Sequence, residues 1–457
     1  MRSTNCLLAT LMILGFDGPG RGNEPSRPPI VIFLADDMGR AECSPYGGRE
    51  VPTPNMARLG ADGMTFTNAF VASPSCAPSR AALLTGLEPM RNGAMLNHAA
   101  PRADLKKWPA YFHDLGYEVV SFGKTAHYAQ VTNYGFDHAS HYHYHQDDCI
   151  EAAVDWLSRR KSNRPLCLLV GTNWPHVPWP RKPAGDPAGR SLPPNLVDTP
   201  ETHRARARYA AAVARADRDL GMVYEAARKY LGPESFFLFS SDHGAQLPFG
   251  KWNGYDVGIQ IPMIVAWPGR VAPGSTARSL VSWLDILPTA LEAAGGAPPA
   301  GISGRSFLDV LLGKRTDHRE AIFITHSGDG SMNRYPLRAV RTRRWKYIRN
   351  LDPAAEHHTH IDRGRADSDG REYWNSWVEA ARTNPAAAAT VRRYHHRPAE
   401  ELYDLAADPW ELSNLAREPA HAATLARLKA DLDAWMSAQG DTGLATERAL
   451  PDPQKKK

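Results

Sequence analysis

Five short apolar runs, each ending in polar or small residues, constrain the fold of this 457-residue chain more than any other feature. Ile30-Val-Ile-Phe-Leu-Ala35 runs into Asp36-Asp37, and Glu118-Val-Val-Ser-Phe122 into Gly123-Lys124. Leu166-Cys-Leu-Leu-Val-Gly171 precedes Trp174-Pro-His176, Phe236-Phe-Leu-Phe239 precedes Ser240-Ser-Asp-His243, and Pro262-Met-Ile-Val-Ala266 precedes Trp267. A continuous apolar run of this length suits a strand buried on both faces, as in a parallel sheet. Helical patterns lie between the runs, over 54–61, 108–115, 147–160 and 201–231. Strand–helix alternation implies βαβ units and an α/β domain with a large, mostly parallel sheet between helices. In such sheets ligands bind at the carboxyl ends of the strands. Asp36, Asp37, Lys124, His176, Asp242 and His243 are therefore expected to meet at one site.

Beyond Gly295-Gly296 the texture changes. Ala321-Ile-Phe-Ile-Thr325, Leu337-Arg-Ala-Val-Arg341 and Trp345-Lys-Tyr-Ile-Arg349 are short strands, the last two forming a hairpin. Their period-two alternation indicates an antiparallel sheet with one face buried. With a helix over 420–436 they make a smaller C-terminal subdomain. The expected divisions are a catalytic domain over 28–318, a subdomain over 319–440 and a disordered tail over 441–457. Residues 352–396, polar and rich in His and Arg, read as a surface insertion.

Composition removes several functions. The net charge of +5 is small for the length, and Lys455, Lys456 and Lys457 supply three of those charges, which excludes a basic stripe for nucleic acid. Five cysteines at irregular spacing exclude a disulfide framework or zinc module. Arg2 followed by an apolar stretch from Cys6 to Phe16 reads as a secretory signal over residues 1–22, too short to span a bilayer, with a helix packed on the domain as the alternative. An exported bacterial protein, periplasmic or extracellular, is the expectation. Oligomeric state has no signature.

The chemistry is carried by Ser75-Cys-Ala-Pro-Ser-Arg80-Ala-Ala-Leu-Leu-Thr-Gly86. Pro78 and Ser79 open a helix. Cys76 then lies at a helix N-terminus, where partial positive charge favours anions and lowers a thiol pKa, with Arg80 able to hold a negative group. Taken alone, Cys76 reads equally well as a buried structural cysteine. The whole segment, however, resembles the C-x-P-x-R signature of type I sulfatases, in which the cysteine is oxidised to formylglycine and the hydrated aldehyde is the nucleophile. Other elements of that family follow in order. Asp36 and Asp37 resemble its first metal pair, and Asp242 with His243 the second. Lys124 and His127 resemble the Lys and His flanking the nucleophile, His176 the next His, and Lys251 the late sulfate-binding Lys. His243 stands where many members carry Asn, and the spacing from Lys124 to His127 is wider than in many; an iduronate-sulfatase-like group shares both features.

The resemblance implies an alkaline-phosphatase-like sandwich and one divalent metal, calcium by expectation, held by Asp36, Asp37, Cys76 (as formylglycine), Asp242 and His243. It implies fixed charge from Arg80, Lys124 and Lys251, an acid in His176 and a base in His127, roles that could be exchanged. A formylglycine-generating enzyme is the implied maturation partner. Arg334-Tyr-Pro-Leu-Arg-Ala-Val340 and Arg393-Tyr-His-His-Arg-Pro-Ala-Glu-Glu-Leu-Tyr-Asp404 resemble the heparan N-sulfatase group, so the expected substrate is a sulfated sugar of the N-sulfoglucosamine type. His98 and Arg338 are candidates to line its pocket. The alternatives are a glycan O-sulfatase, a phosphonate monoester or phosphodiester hydrolase of the same superfamily, an inactive carbohydrate-binding homologue, and a hydrolase using the Cys76 thiol directly. The tracts His141–His145 and His357–His360 resemble metal-binding runs but stand outside the expected site.

Overall fold

The computed structural model describes residues 27–142, 148–186, 191–365 and 370–451. The expected export signal and residues 143–145 of the first histidine tract lie outside them.

The Ile30–Ala35 run is a central strand, and all six of its residues are fully buried. On one side it pairs in parallel with Leu166–Gly171, which pairs in parallel with Glu118–Gly123. On its other side lies Phe236–Ser241, also parallel. Three further short strands and His138–Ser140 complete an eight-stranded sheet, mixed because Met263–Ala266 runs antiparallel to its neighbours. Helices Pro54–Asp62, Asp148–Arg159 and Pro200–Tyr230 pack together as one layer, and Cys76–Thr85, Trp108–His113 and Ile286–Ala293 as another. The apolar runs thus lie between two helical layers, which is why they need no polar face.

Strand register positions the site. Leu34 lies opposite Gly171 and Ala35 opposite Ser241, while Gly171 also faces Gly123. The next residues along these strands therefore emerge at one level. Gly123 has φ +73°, and a Cβ on Gly171 would collide with the Lys124 carbonyl, so both glycines serve the close turn that delivers Lys124.

The C-terminal strands Ala321–His326, Leu337–Thr342, Trp345–Asn350 and Glu400–Asp404 form an antiparallel meander. Both faces are covered, not one. Val340, Tyr347 and Leu402 pack with Leu428, Leu432 and Met436 of helix Ala422–Ala438. Leu337, Ala339 and Ile348 belong instead to the core of the large domain. The alternation was real; the second face is buried against the larger domain.

Two further expectations change. The 352–396 stretch holds helices His360–Arg363, Arg371–Ala380 and Pro385–His395, whose Tyr373, Trp374, Trp377 and Tyr394 enter the main core. Trp374 and Trp377, one helical turn apart, make a narrow apolar stripe that average composition conceals. Residues 452–457 of the expected disordered tail lie outside the described residues, and the tail before them instead holds a helix over Leu444–Ala449. Arg338 explains why: its fully buried guanidinium donates to Asp441 at 2.5 Å and Glu447 at 2.7 Å, tying the tail to the meander.

Removing that guanidinium leaves two carboxylates without their cation. Arg338→Ala is expected to lower the free energy of unfolding by about 3–5 kcal/mol, read from urea melts, while leaving the KM of the folded fraction unchanged.

Candidate active site

Asp36 and Asp37 follow the central strand, Lys124 follows Gly123, His176 lies beyond Gly171, and Asp242 and His243 follow Ser241. All six are buried and converge as their register requires. The helix Cys76–Thr85 brings Cys76 and Arg80 from the opposite side, with every residue of the helix buried. It is fixed there by Ser79, whose hydroxyl donates to the Asp242 carbonyl at 2.6 Å.

The centre is a lattice of carboxylates and cations. Arg80 donates from Nε to Asp242 at 2.9 Å, from Nη2 to Asp36 at 3.2 Å, and from Nη1 to the Lys124 carbonyl. Lys124 Nζ reaches Asp36 at 2.6 Å, and Lys251 Nζ reaches Asp37 at 2.8 Å and His176 Nε2 at 3.1 Å. Burial alone would raise the Asp36 carboxyl, but Lys124, His176, Arg80 and Lys251 hold it well below the ordinary range. For Asp37, burial together with the neighbouring Asp36 and Asp242 outweighs Lys251 and His243, and its pKa is raised. Burial disfavours the charged form of Lys124 and Lys251, yet the facing carboxylates keep both ammonium groups firmly protonated.

Asp37, Cys76, Asp242 and His243 present ligand atoms all within 4.8 Å of one another. His243 Nδ1 donates to the Gly244 carbonyl at 3.0 Å, leaving the Nε2 lone pair directed inward, 3.2 Å from Cys76 Sγ and 3.4 Å from Asp37. An imidazole oriented by its other nitrogen is how a histidine is prepared for a metal. Two carboxylates beside it suit a hard divalent cation. Asp36 stands beside this group rather than in it, 3.9 Å from Cys76 Sγ, with its own oxygens turned to Lys124 and Arg80. The residues present therefore fit a divalent metal.

Cys76 departs from the expected low-pKa thiol. Burial pushes it up, Asp242 and Asp36 add to the effect, and Lys124 and Lys251 only partly oppose them. The helix terminus is outweighed by desolvation and by two carboxylates. A thiol held protonated is a poor nucleophile, so direct thiol catalysis does not suit this environment.

His176 Nδ1 donates to the Val177 carbonyl at 2.7 Å, so its Nε2 accepts from Lys251. Burial, Lys251 and Lys124 keep His176 well below its usual pKa, and burial with Lys124 and His98 does the same for His127. His127 Nε2 lies 2.7 Å from His98 Nδ1, and His98 Nε2 lies 3.2 Å from Asp329. His98, with its side chain 60% exposed, thus stands beside His127 at the rim of the site. Arg338 does not: it is buried in the ion pairs of the C-terminal meander. Asn97 and Asp329 carry no motif, although Asn97 accepts from the backbone of Ala77 at 3.0 Å beside the nucleophile. Asp37, His98, Tyr128, Phe249 and Trp252 all have φ between +50° and +70°, placing left-handed backbone at or beside the site residues. Of the second histidine tract, His358 lies between Asp362 (2.6 Å) and Glu356 (3.2 Å) in a separate group with His395.

The family described as Sulfatase matches residues 28–297, and the C-terminal domain described as N-sulphoglucosamine sulphohydrolase matches 244–381. An ulvan-active sulfatase of Formosa agariphila is 31% identical over 91% of this chain and 81% of its own length. Human N-sulphoglucosamine sulphohydrolase is 26% identical over 90% of each chain. Among solved structures, one determined with its substrate D-glucosamine-2-N,6-O-disulfate aligns with TM-score 0.69 at 19% identity, over 94% of this chain and all of that one. The phosphonate monoester hydrolase of Agrobacterium radiobacter aligns with TM-score 0.70 at 18% identity, over 92% of this chain and 97% of that one. These two likenesses establish the shared fold.

Burial also couples the site to pH. His326, which meets Ser75 at 3.2 Å, is lowered by burial to about 4. Below about pH 6.5 the unfolded chain takes up a proton there that the folded chain refuses, so this residue makes stability fall as pH drops towards 4. Glu88 and Glu411, raised by burial to about 7, act in the opposite sense, so the difference between variants is the informative quantity. His326→Gln is expected to reduce the pH slope of unfolding free energy between pH 6 and 4.5 by about 1.4 kcal/mol per unit, measured by urea denaturation.

Proposed function

The chain belongs to the sulfatase family, and from that premise we propose that it hydrolyses sulfate from a sulfated sugar through formylglycine formed from Cys76. The observation that carries this reading is the convergence of Cys76, Arg80, Lys124, Lys251 and His176 on the Asp37–Asp242–His243 cluster. A divalent metal held by Asp37, Asp242, His243 and the modified Cys76, with Asp36 beside them, would supply a Lewis acid for the sulfate oxygens. Arg80, Lys124 and Lys251 place fixed positive charge where the sulfuryl group gains negative charge, without reorganisation during the reaction.

In the proposed cycle one hydroxyl of the hydrated formylglycine attacks sulfur as its proton passes to the Asp37 carboxylate beside it. The bond from sulfur to the sugar atom breaks, and that atom takes a proton from His176. His176 is neutral in the free site and accepts from Lys251, so the proton it gives is one drawn in with the anionic substrate or passed on by Lys251. The second hydroxyl then loses its proton to His127, the C=O bond reforms, and sulfate leaves with the electrons of the C–O bond. Water rehydrates the aldehyde.

The match of residues 244–381 to the C-terminal domain of N-sulphoglucosamine sulphohydrolase favours an N-sulfated glucosamine. The ulvan-active relative favours a second reading, an O-sulfated polysaccharide. Export and maturation by a formylglycine-generating enzyme accompany either.

The tryptic peptide ending at Arg80 is expected to be lighter than its sequence mass by about 18 Da, as conversion of thiol to aldehyde requires; only intact Cys76 in actively desulfating protein would sink the mechanism. Cys76→Ala should cost roughly 10⁴–10⁶ in kcat. Chelation should abolish turnover and added Ca²⁺ or Mg²⁺ restore it. Sulfate release from N-sulfoglucosamine against ulvan oligosaccharides separates the two substrates.

A further inference from the structure

We propose that Asp329 and His98 are positioning residues that fix the tautomer of His127, making its Nδ1 the atom that accepts the proton when sulfate leaves; this rests on the formylglycine reading above. Three side chains from separate parts of the chain form a line. Asp329, in the turn after strand Ala321–His326, has one oxygen 3.2 Å from His98 Nε2. Its other oxygen accepts from Asn97 Nδ2 and from Trp252 Nε1, each at 2.9 Å.

Burial would raise the Asp329 carboxyl, but its hydrogen bonds from His98 and Asn97, with His360 nearby, hold it well below the carboxylate range. It therefore stays an acceptor, which makes His98 Nε2 the donor. His98 Nδ1 is then a lone pair, and it lies 2.7 Å from His127 Nε2. Two imidazole nitrogens at that distance need one proton between them, and with a neutral His98 it is His127 Nε2 that supplies it. The remaining nitrogen, His127 Nδ1, carries the lone pair. It is buried and has no hydrogen-bond partner among the described residues.

An orphaned basic nitrogen inside a charged site is costly unless a ligand uses it. In the release step it takes the hydroxyl proton while the C–O bond to sulfate breaks. The imidazolium so formed shares its charge through His98 with the Asp329 carboxylate. A buried aspartate fixing a catalytic histidine is the logic of hydrolase triads, extended here by one imidazole. His98 has φ +70°, a conformation that orients its ring between its two partners at a backbone cost.

Asp329→Asn reverses the line without removing it. The amide must turn its oxygen to the two donors, Asn97 and Trp252, and its NH₂ to His98. His98 then accepts at Nε2 and donates from Nδ1, and the His127 proton moves to Nδ1. Sulfate release is expected to fall about 10²–10⁴-fold in kcat with KM within about twofold. In ¹⁵N-histidine-labelled protein, His127 Nδ1 should change from an unprotonated to a protonated signature. His98→Gln, whose amide can accept from His127 and donate to Asp329, should keep the tautomer and lose less than about tenfold. Unchanged kcat in Asp329→Asn, or a protonated Nδ1 in the wild type, overturns the proposal. Should Asp329→Asn fail to fold, the wild-type Nδ1 signature and His98→Gln decide it. A wild type without formylglycine or sulfate release overturns the functional reading instead, because the tautomer is read without turnover.

Discussion

Everything in this molecule is arranged around a buried balance of charge. Asp36, Asp37 and Asp242 face Arg80, Lys124 and Lys251 where none of the six is more than 2% exposed. Removing any one partner strands a charge in a low-dielectric interior, which costs far more than a surface pair would gain. The balance therefore dictates that three strands end at one level, that the Cys76–Thr85 helix enters against them, and that Lys251 arrives from a distant loop. The same constraint raises the Cys76 thiol and lowers the buried histidines.

The C-terminal subdomain is part of that arrangement. Its first strand ends at His326 against Ser75, next to the nucleophile. The following turn supplies Asp329, which joins Asn97, His98 and Trp252. Because one face of its meander belongs to the core of the large domain, these contacts are held by apolar packing as well as by hydrogen bonds. The tail is tied to the meander through Arg338, a residue whose position in a hairpin resembling sugar-reading segments had suggested contact with substrate.

Much of the site was legible because its residues sit at strand ends. Asp36, Lys124, His176 and Asp242 each follow an apolar run, and a run buried on both faces can place polar groups only beyond its end. The Cys76 segment carried the chemistry because a short helix start must hold its nucleophile and guanidinium within one turn. Asp329 had no such signature: it lies 232 positions from its partner Asn97, in a glycine-flanked turn like many others. Trp374 and Trp377 were hidden because charged neighbours dominate the average of their segment, while burial follows the helical face.

By itself the sequence determined the α/β architecture, the family, and the segment that carries Cys76 and Arg80, since these depend on local periodicity and short spacing. Only the tertiary structure decided that Arg338 is an anchor, that the tail holds a helix over Leu444–Ala449, and that His98 connects His127 to Asp329. Those are pairings between distant segments. Their energies come from desolvation and from who faces whom, quantities that exist only once the chain is folded.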